Sequence, residues 1–389
     1  MIDESGFVNR KKVSIETLQR AIINQSLMIT GVINFVIPQI KDVVDRCKGK
    51  VSNIYMVGCG DSLYAAMATR YFFEQYSGYN VESIEALEFS RYTVDFIPQN
   101  SLVIGISAGG NKSRTFEAIQ QANNRGAITV AITGEKNTTF NEEACMVIHQ
   151  NEFEYRIQPP DGEGTFKLGN YLSSMLCLYM LSLELGVDRG KIDQDKYNDL
   201  LFTISCLPQE INETFYANEN AVRKFVRSIA TSIPYYTILG GGPNFATALY
   251  MAAKLFEMPQ LHGVPVELEE WAHEQFFLTR DGSIIFVICP PGNSLDRARE
   301  LIVGAKEMGA MVVAICDIND QETVSLAHET FPIISKVSEE FSPLVYMIPG
   351  QLFAMELCRI LNKPAFAFIN NKQYELNKRL ITSSALRKG

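Results

Sequence analysis

The stretch Asn53–Glu74, "NIYMVGCGDSLYAAMATRYFFE", and the stretch Tyr235–Glu257, "YYTILGGGPNFATALYMAAKLFE", read as one passage written twice. Each opens with an apolar, β-branched run, turns on glycines and continues with apolar residues at helical spacing. Gly60 matches Gly242, a shift of 182 residues. The same shift carries Asn111 of "LVIGISAGGNKSRTFEAI" onto Asn293 of "IIFVICPPGNSLDRAREL". It also carries Glu85 and Glu88 of "EALEF" onto Glu267 and Glu270 of "ELEEW". Further on, "RGAITVAIT" matches "MGAMVVAIC" with one residue of slip. An offset sustained this far marks an internal duplication.

Within each copy, apolar runs alternate with helical patterns, as "IYMVG", "VESIEA", "SLVIGIS", "AITVAIT" and "ACMVIHQ" do in the first. Continuous apolar strands separated by helices predict a parallel sheet covered on both faces. The fold class is therefore α/β: two tandem doubly wound parallel-sheet domains with a helical connector and a C-terminal tail. The expected boundaries are a helical lead-in over 1–50, a first domain over 51–162 and a connector over 163–230. A second domain follows over 231–351, then a helix and tail over 352–389. Ligands of such folds sit beyond the carboxyl ends of the strands.

Composition narrows the class. The chain has 389 residues, 47% hydrophobic and 20% charged, with a net charge of −9. No basic block stands out, so nucleic acid is not expected as a partner. The eight cysteines form no CxxC pair and suit a reduced, cytoplasmic setting. The start "MIDESGFVNRKK" lacks the apolar core of a signal peptide. "LGNYLSSMLCLYMLSL" is short for a membrane span and reads as a buried helix, so no membrane partner is expected.

Two turns of the first copy suit an anion. In "VGCGDS", Cys59, Gly60, Asp61 and Ser62 lead from a strand into a helix, with Asp61 or Ser62 as candidate cap. In "ISAGGNKSRT", Ser107, Gly109, Asn111, Lys112 and Ser113 supply hydroxyls, exposed backbone N–H groups and charge, with Arg114 adding more. A glycine-rich turn capped without any ligand is the equally simple reading of the spacing. Neither GxGxxG nor GxxxxGK[ST] is present, which argues against nucleotide binding. The second copy reads "ICPPGNS", where two prolines remove N–H donors, so a phosphate site is not expected there.

The segment "EMPQLHGVPVELEEWAHEQF" (Glu257–Phe276) is dense in acid/base groups. Glu257 closes an apolar helix, where partial burial would raise its pKa and suit it to proton transfer. The plain alternatives are a helix-end carboxylate paired with Lys254 and a surface histidine at His273. His262 reads as a packed or exposed histidine, and Trp271 as a core or interface anchor. Glu267 and Glu269 read as alternating faces of a strand end that serve solvation. No HExxH-like spacing or cysteine partner points to zinc, so no metal is expected.

The "GCGDS…ISAGGNKS" pair, its echo and the segment from Glu257 to His273 together resemble the sugar isomerase (SIS) family over roughly residues 15–389. The likeness is to the isomerase half of glucosamine-6-phosphate synthase and to the fructosamine-6-phosphate deglycases. That resemblance implies a phosphosugar ligand at Ser107, Gly109 and Ser113, with the turn from Cys59 to Ser62 lining the same pocket. It implies Glu257 as proton shuttle, His273 as ring opener and Glu270 as the acid preceding it. Lys167 of "TFKLGNYL" resembles a connector lysine of the synthases, and Lys378 or Lys388 would stand for their tail lysine. The family's histidine commonly comes from a neighbouring subunit, which implies a homodimer with shared active sites. No cofactor is implied.

Departures bear on the reaction. The family loop "SQSGETADT" is "SAGGNKSRT" here, and "HGP" after the histidine is "HEQ". "GGGPN" at the second turn looks more like the deglycases. The chain begins Met1-Ile2, without the synthases' N-terminal glutaminase nucleophile, so glutamine-dependent synthesis by this chain alone is not expected. The expected reaction is removal of an amine from a ketosamine 6-phosphate. Amino-sugar-phosphate deamination or isomerisation, aldose–ketose isomerisation, and a non-catalytic phosphosugar sensor are the alternatives.

Overall fold

Two five-stranded parallel sheets organise the chain, one for each copy of the duplication. The computed structural model describes residues 8, 13–150, 168–229 and 235–387. Two helices lead in, α1 (Ile15–Ile23) and α2 (Gln25–Cys47). The first copy runs β1 (Asn53–Gly58), α3 (Asp61–Ser77), β2 (Asn80–Glu85), α4 (Ala86–Arg91), β3 (Ser101–Ile106), α5 (Ser113–Asn124), β4 (Ile128–Thr133), α6 (Thr139–Glu143) and β5 (Met146–His149). Helices α7 (Asn170–Asp188) and α8 (Gln194–Ser228) follow.

The second copy runs β6 (Tyr235–Gly240), α9 (Pro243–Glu257), β7 (His262–Glu267), α10 (Leu268–His273), β8 (Ile284–Cys289), α11 (Leu295–Glu307), β9 (Met311–Asp317), α12 (Gln321–Leu326) and β10 (Glu329–Ile333). It closes with α13 (Pro343–Leu361), and α14 (Asn371–Thr382) follows. The described chain divides into two compact units. One holds the first sheet with residues 27–150, 168–205 and 368–387. The other holds the second sheet with residues 13–26, 206–229 and 235–367.

Strand order is β2-β1-β3-β4-β5 in the first sheet and β10-β9-β8-β6-β7 in the second, the same order read from the opposite edge. The expected doubly wound architecture is thus present in both copies. Strand β3 is buried at every position, as its unbroken apolar sequence requires. In this topology the chain reverses its winding between β1 and β3, which opens a crevice at their carboxyl ends. Both glycine-bearing turns of the first copy, 59–62 and 107–112, leave strands at that point.

The duplication extends to backbone angles. Gly60 precedes α3 with φ 57° and ψ −132°. Gly242 precedes α9 with φ 52° and ψ −132°. Residues with a Cβ rarely adopt this conformation, so both turns demand glycine. The expected capping of α3 by Asp61 or Ser62 does not occur; Gly60 is the cap and makes no side-chain bond.

Each sheet is covered by helices of its own unit. Helix α7 is buried from Tyr171 through Leu183, and Tyr179 stacks edge-on against Phe72 of α3 at 4.7 Å. On the second sheet, Phe353 of α13 meets Phe286 of β8 at 4.7 Å and Tyr236 of β6 at 5.2 Å. Helices α2 and α13 are long and apolar enough to cross a membrane, but 83% of the α13 window is buried inside the fold. Burial of an apolar helix in a protein core accounts for such composition equally well.

Candidate functional site

The residues expected to form the site fall in the two units, and each group has its own geometry. In the first unit, β3 ends at Ile106 and the chain bends through Ser107. The bend is held by bonds from Ser107 N–H to Ile132 O (3.0 Å) and from Gly110 N–H to Ser107 O (2.9 Å). The Ser107 side chain is 2% exposed, and its Oγ has no hydrogen-bond partner among the described residues. A buried hydroxyl without a partner is costly and uncommon. Ser113 opens α5, while Lys112 stands at its cap position. Asn111 is exposed and Gly109 half-buried.

The neighbouring turn is fixed by a carboxylate the sequence did not single out for this purpose. Cys59 Sγ donates to Glu85 Oε1 at 3.1 Å. Glu85 Oε2 accepts from the Leu87 and Glu88 N–H groups at 2.7 and 3.0 Å, capping α4. Burial, reinforced by the Glu85 carboxylate, pushes the Cys59 thiol up to about 12. Cys59 therefore stays a protonated thiol at neutral pH and is no nucleophile.

Arg114 does not add charge to the loop as expected. Its guanidinium is committed to Glu117 Oε2 (2.6 Å), to Ser384 Oγ (2.8 Å) and to Ala385 O. Glu117 is fully buried and also accepts from Arg91 Nε (2.5 Å), Ser90 Oγ (2.9 Å) and the Arg387 N–H (2.8 Å). Burial alone would raise the Glu117 carboxyl, but these donors hold it below its usual range. The Ser384 N–H reaches Ser113 Oγ at 3.3 Å. Residues 384–387 thus lie along the first turns of α5, beside the glycine-rich loop. Of the two tail lysines, Lys378 is exposed on α14, and Lys388 lies outside the described residues, as does Lys167.

In the second unit, Glu257 ends α9. Its Oε2 lies 2.5 Å from Lys254 Nζ, and its backbone oxygen accepts from the Phe366 N–H at 2.8 Å. Lys254 is itself buried at 3% exposure, with its ammonium 4.8 Å from the Tyr250 ring. Partial burial was expected of this carboxylate, and the Glu257 side chain is 44% exposed. The helix ends there, and the chain turns away through Met258 to β7.

His273 ends α10 with its side chain 69% exposed and Nε2 3.2 Å from Glu269 Oε1. Glu269 also pairs with Arg297 Nε at 2.8 Å, and Glu270 is exposed. Glu267 does not simply face solvent: its Oε2 accepts from the Glu269 and Glu270 N–H groups and caps α10, as Glu85 caps α4. His262 is exposed at the start of β7, and Trp271 is buried against Phe276.

A sequence profile of the SIS domain matches residues 50–160 and 236–360, the two copies read above. The chain belongs to the SIS domain family. Among SIS relatives, it is 28% identical over 306 residues to the glutamine–fructose-6-phosphate aminotransferase (isomerizing) of Methanothermobacter thermautotrophicus, covering 79% of this chain and 48% of that one. The enzyme of the same name from Thermococcus kodakarensis is 27% identical over 320 residues, with coverage of 82% and 51%. This SIS chain spans about half the length of the curated relatives it matches. Its fold is similar to the C-terminal domain of glucosamine-fructose-6-phosphate aminotransferase from Francisella tularensis. The TM-score is 0.79 at 16% identity, over 89% of this chain and 96% of that one.

Proposed function

We propose that this chain converts a hexose 6-phosphate derivative, with the first copy holding the phosphate and the second supplying acid/base groups. The observation that carries the reading is Ser107: a buried hydroxyl, unpartnered among the described residues, at the strand-end crevice of a SIS domain. A phosphate oxygen would accept its proton and the N–H groups of the following loop. The curated relatives are named isomerizing aminotransferases, which supports chemistry at C1 and C2 of a sugar phosphate.

The favoured reaction is amine release from a ketosamine 6-phosphate. Glu257 takes a proton from C1 and the C2 carbonyl becomes the enol, giving an enaminol. Return of the proton to C2 leaves an imine at C1. Water adds to C1, the C–N bond breaks, and the amine departs with an aldose 6-phosphate. His273 protonates the ring oxygen to open the sugar beforehand. The exposure of His273 suits a residue offered to a second subunit in a homodimer with shared sites.

A second reading, phosphosugar binding without turnover, draws on the half-exposed Glu257 and its pairing with Lys254. A panel of fructose, glucosamine and ketosamine 6-phosphates separates the readings by thermal stabilisation, released amine and isomerised product. Amine release from the ketosamine is the expected result. Isomerisation without amine release would redirect the reaction to aldose–ketose exchange, and stabilisation without turnover would make the protein a sensor. Glu257→Gln is expected to lower kcat by about 100-fold or more while leaving substrate affinity near that of the wild type. Equal loss of both would remove Glu257 from the role of base.

A further inference from the structure

The second copy repeats the topology of the first crevice with different contents. Gly242 and the 290–294 loop stand at the carboxyl ends of β6 and β8, where the duplication places Gly60 and the Ser107 loop. The counterpart of Ser107 is Cys289, whose thiol donates to Val287 O at 3.5 Å. A carboxylate enters the turn that follows. Glu339, from the 3-10 turn Glu339–Phe341, places Oε2 3.0 Å from the Asn293 N–H.

Gly292 makes the room. A Cβ there would fall 2.3 Å from Glu339 Oε2 and 2.4 Å from its Cδ, well inside contact distance. Oε1 lies 3.5 Å from where a Cβ of Gly242 would stand. The carboxylate therefore spans the two glycine turns of its unit, ahead of the N-terminal end of α11. Asn293 is the counterpart of Asn111, and Gly292 that of Gly110. Where the first copy presents a buried hydroxyl, unpartnered among the described residues, the second presents an N–H already bonded to an internal acid.

We propose that Glu339 is a built-in anion: it occupies the seat that the duplicated fold provides for a phosphate, and so closes the second copy to phosphosugars. A carboxylate and a phosphate share the chemistry required, negative oxygens accepting from backbone N–H groups at a strand-to-helix turn. The contact is autoinhibitory for that seat, and it braces β6 and β8 through the turns that follow them. It rests on the geometry of the second copy and on the reading of the first copy's loop as a phosphate seat, and not on the reaction proposed above.

The test compares melting of wild type, Glu339→Gly and Glu339→Gln in inorganic phosphate and in chloride at matched ionic strength. Glu339→Gly is expected to melt lower than wild type in chloride and to regain roughly 2–4 °C in phosphate beyond any gain of wild type. The wild-type gain accounts for phosphate at the first copy. Glu339→Gln, which still fills the seat without its charge, is expected to melt lower and to gain no more than wild type. The proposal is overturned if Glu339→Gly melts as wild type does in chloride, or if phosphate helps it no more than it helps wild type. Should Glu339→Gly not fold in chloride, refolding yield is compared in the two salts, and equal yields overturn the proposal.

Discussion

The Ser107 hydroxyl has no hydrogen-bond partner among the described residues, at a cost of about 1–3 kcal/mol that a bound anion would recover. A residue kept for packing and one kept for a ligand respond differently to removal of that oxygen. Ser107→Ala is expected to melt within about 1 °C of wild type without ligand, because no bond to a described residue is lost. It should bind a hexose 6-phosphate about 10-fold to 100-fold more weakly, the worth of one bond to a charged group. Calorimetric titration checks the second figure. A stability loss with unchanged affinity would make Ser107 a packing residue and move the phosphate elsewhere.

Helix α5 owes its setting to Glu117 as much as to its apolar face. Its buried carboxylate gathers Arg91, Arg114, Ser90 and the Arg387 N–H into one network. Breaking a buried pair leaves the remaining charges uncompensated, although Arg91 is about one-third exposed and partly screened. Glu117→Gln is accordingly expected to cost about 2–3 kcal/mol in urea unfolding. The sign of its pH dependence follows from its lowered carboxyl. The stabilisation is present above the usual value of 4.5 and is lost as pH falls through the lower folded value. Wild type should therefore lose this increment of stability below about pH 4, and the Gln variant should not. Proteolysis of residues 384–387 across that range reports the same event.

Elements were more legible in the sequence than their terminal contacts. Apolar strands such as Ser101–Ile106 and the 182-residue echo fixed two parallel sheets, because unbroken apolar runs admit few other structures. Glu85 and Glu267 were visible as matched acids, yet their capping role depends on a helix starting one residue later. The strap from Ser384 to Arg387 could not be read at all. Half of its bonds are made by its backbone atoms, the rest by Ser384 Oγ and the Arg387 guanidinium, and it meets Glu117 across 270 residues of chain. The apolar run ahead of Glu257 suggested partial burial; the helix ends with that residue, which leaves its side chain 44% exposed and paired with the buried Lys254.

At the scale of the whole molecule, the proposed sharing of sites makes a quantitative claim. If each site takes Glu257 from one subunit and His273 from the other, Glu257→Gln and His273→Ala are each inactive alone. Mixed at equal amounts with subunit exchange, half of the dimers pair the two variants, and each such dimer restores one of its two sites. Activity near a quarter of wild type is then expected. No recovery, in a mixture shown by mass spectrometry to have exchanged, would place both residues in the same subunit's site.

The division of the chain also bears on how it is made. The unit around the first sheet draws on residues 27–150, then 168–205, and finally 368–387. During synthesis its strands emerge well before the second sheet, yet Glu117 must wait for Arg387. At ordinary translation rates that interval is on the order of tens of seconds. The acid therefore meets Ser90, Arg91 and Arg114 early, and its network closes only when Arg387 has been made, after the strands of the second sheet.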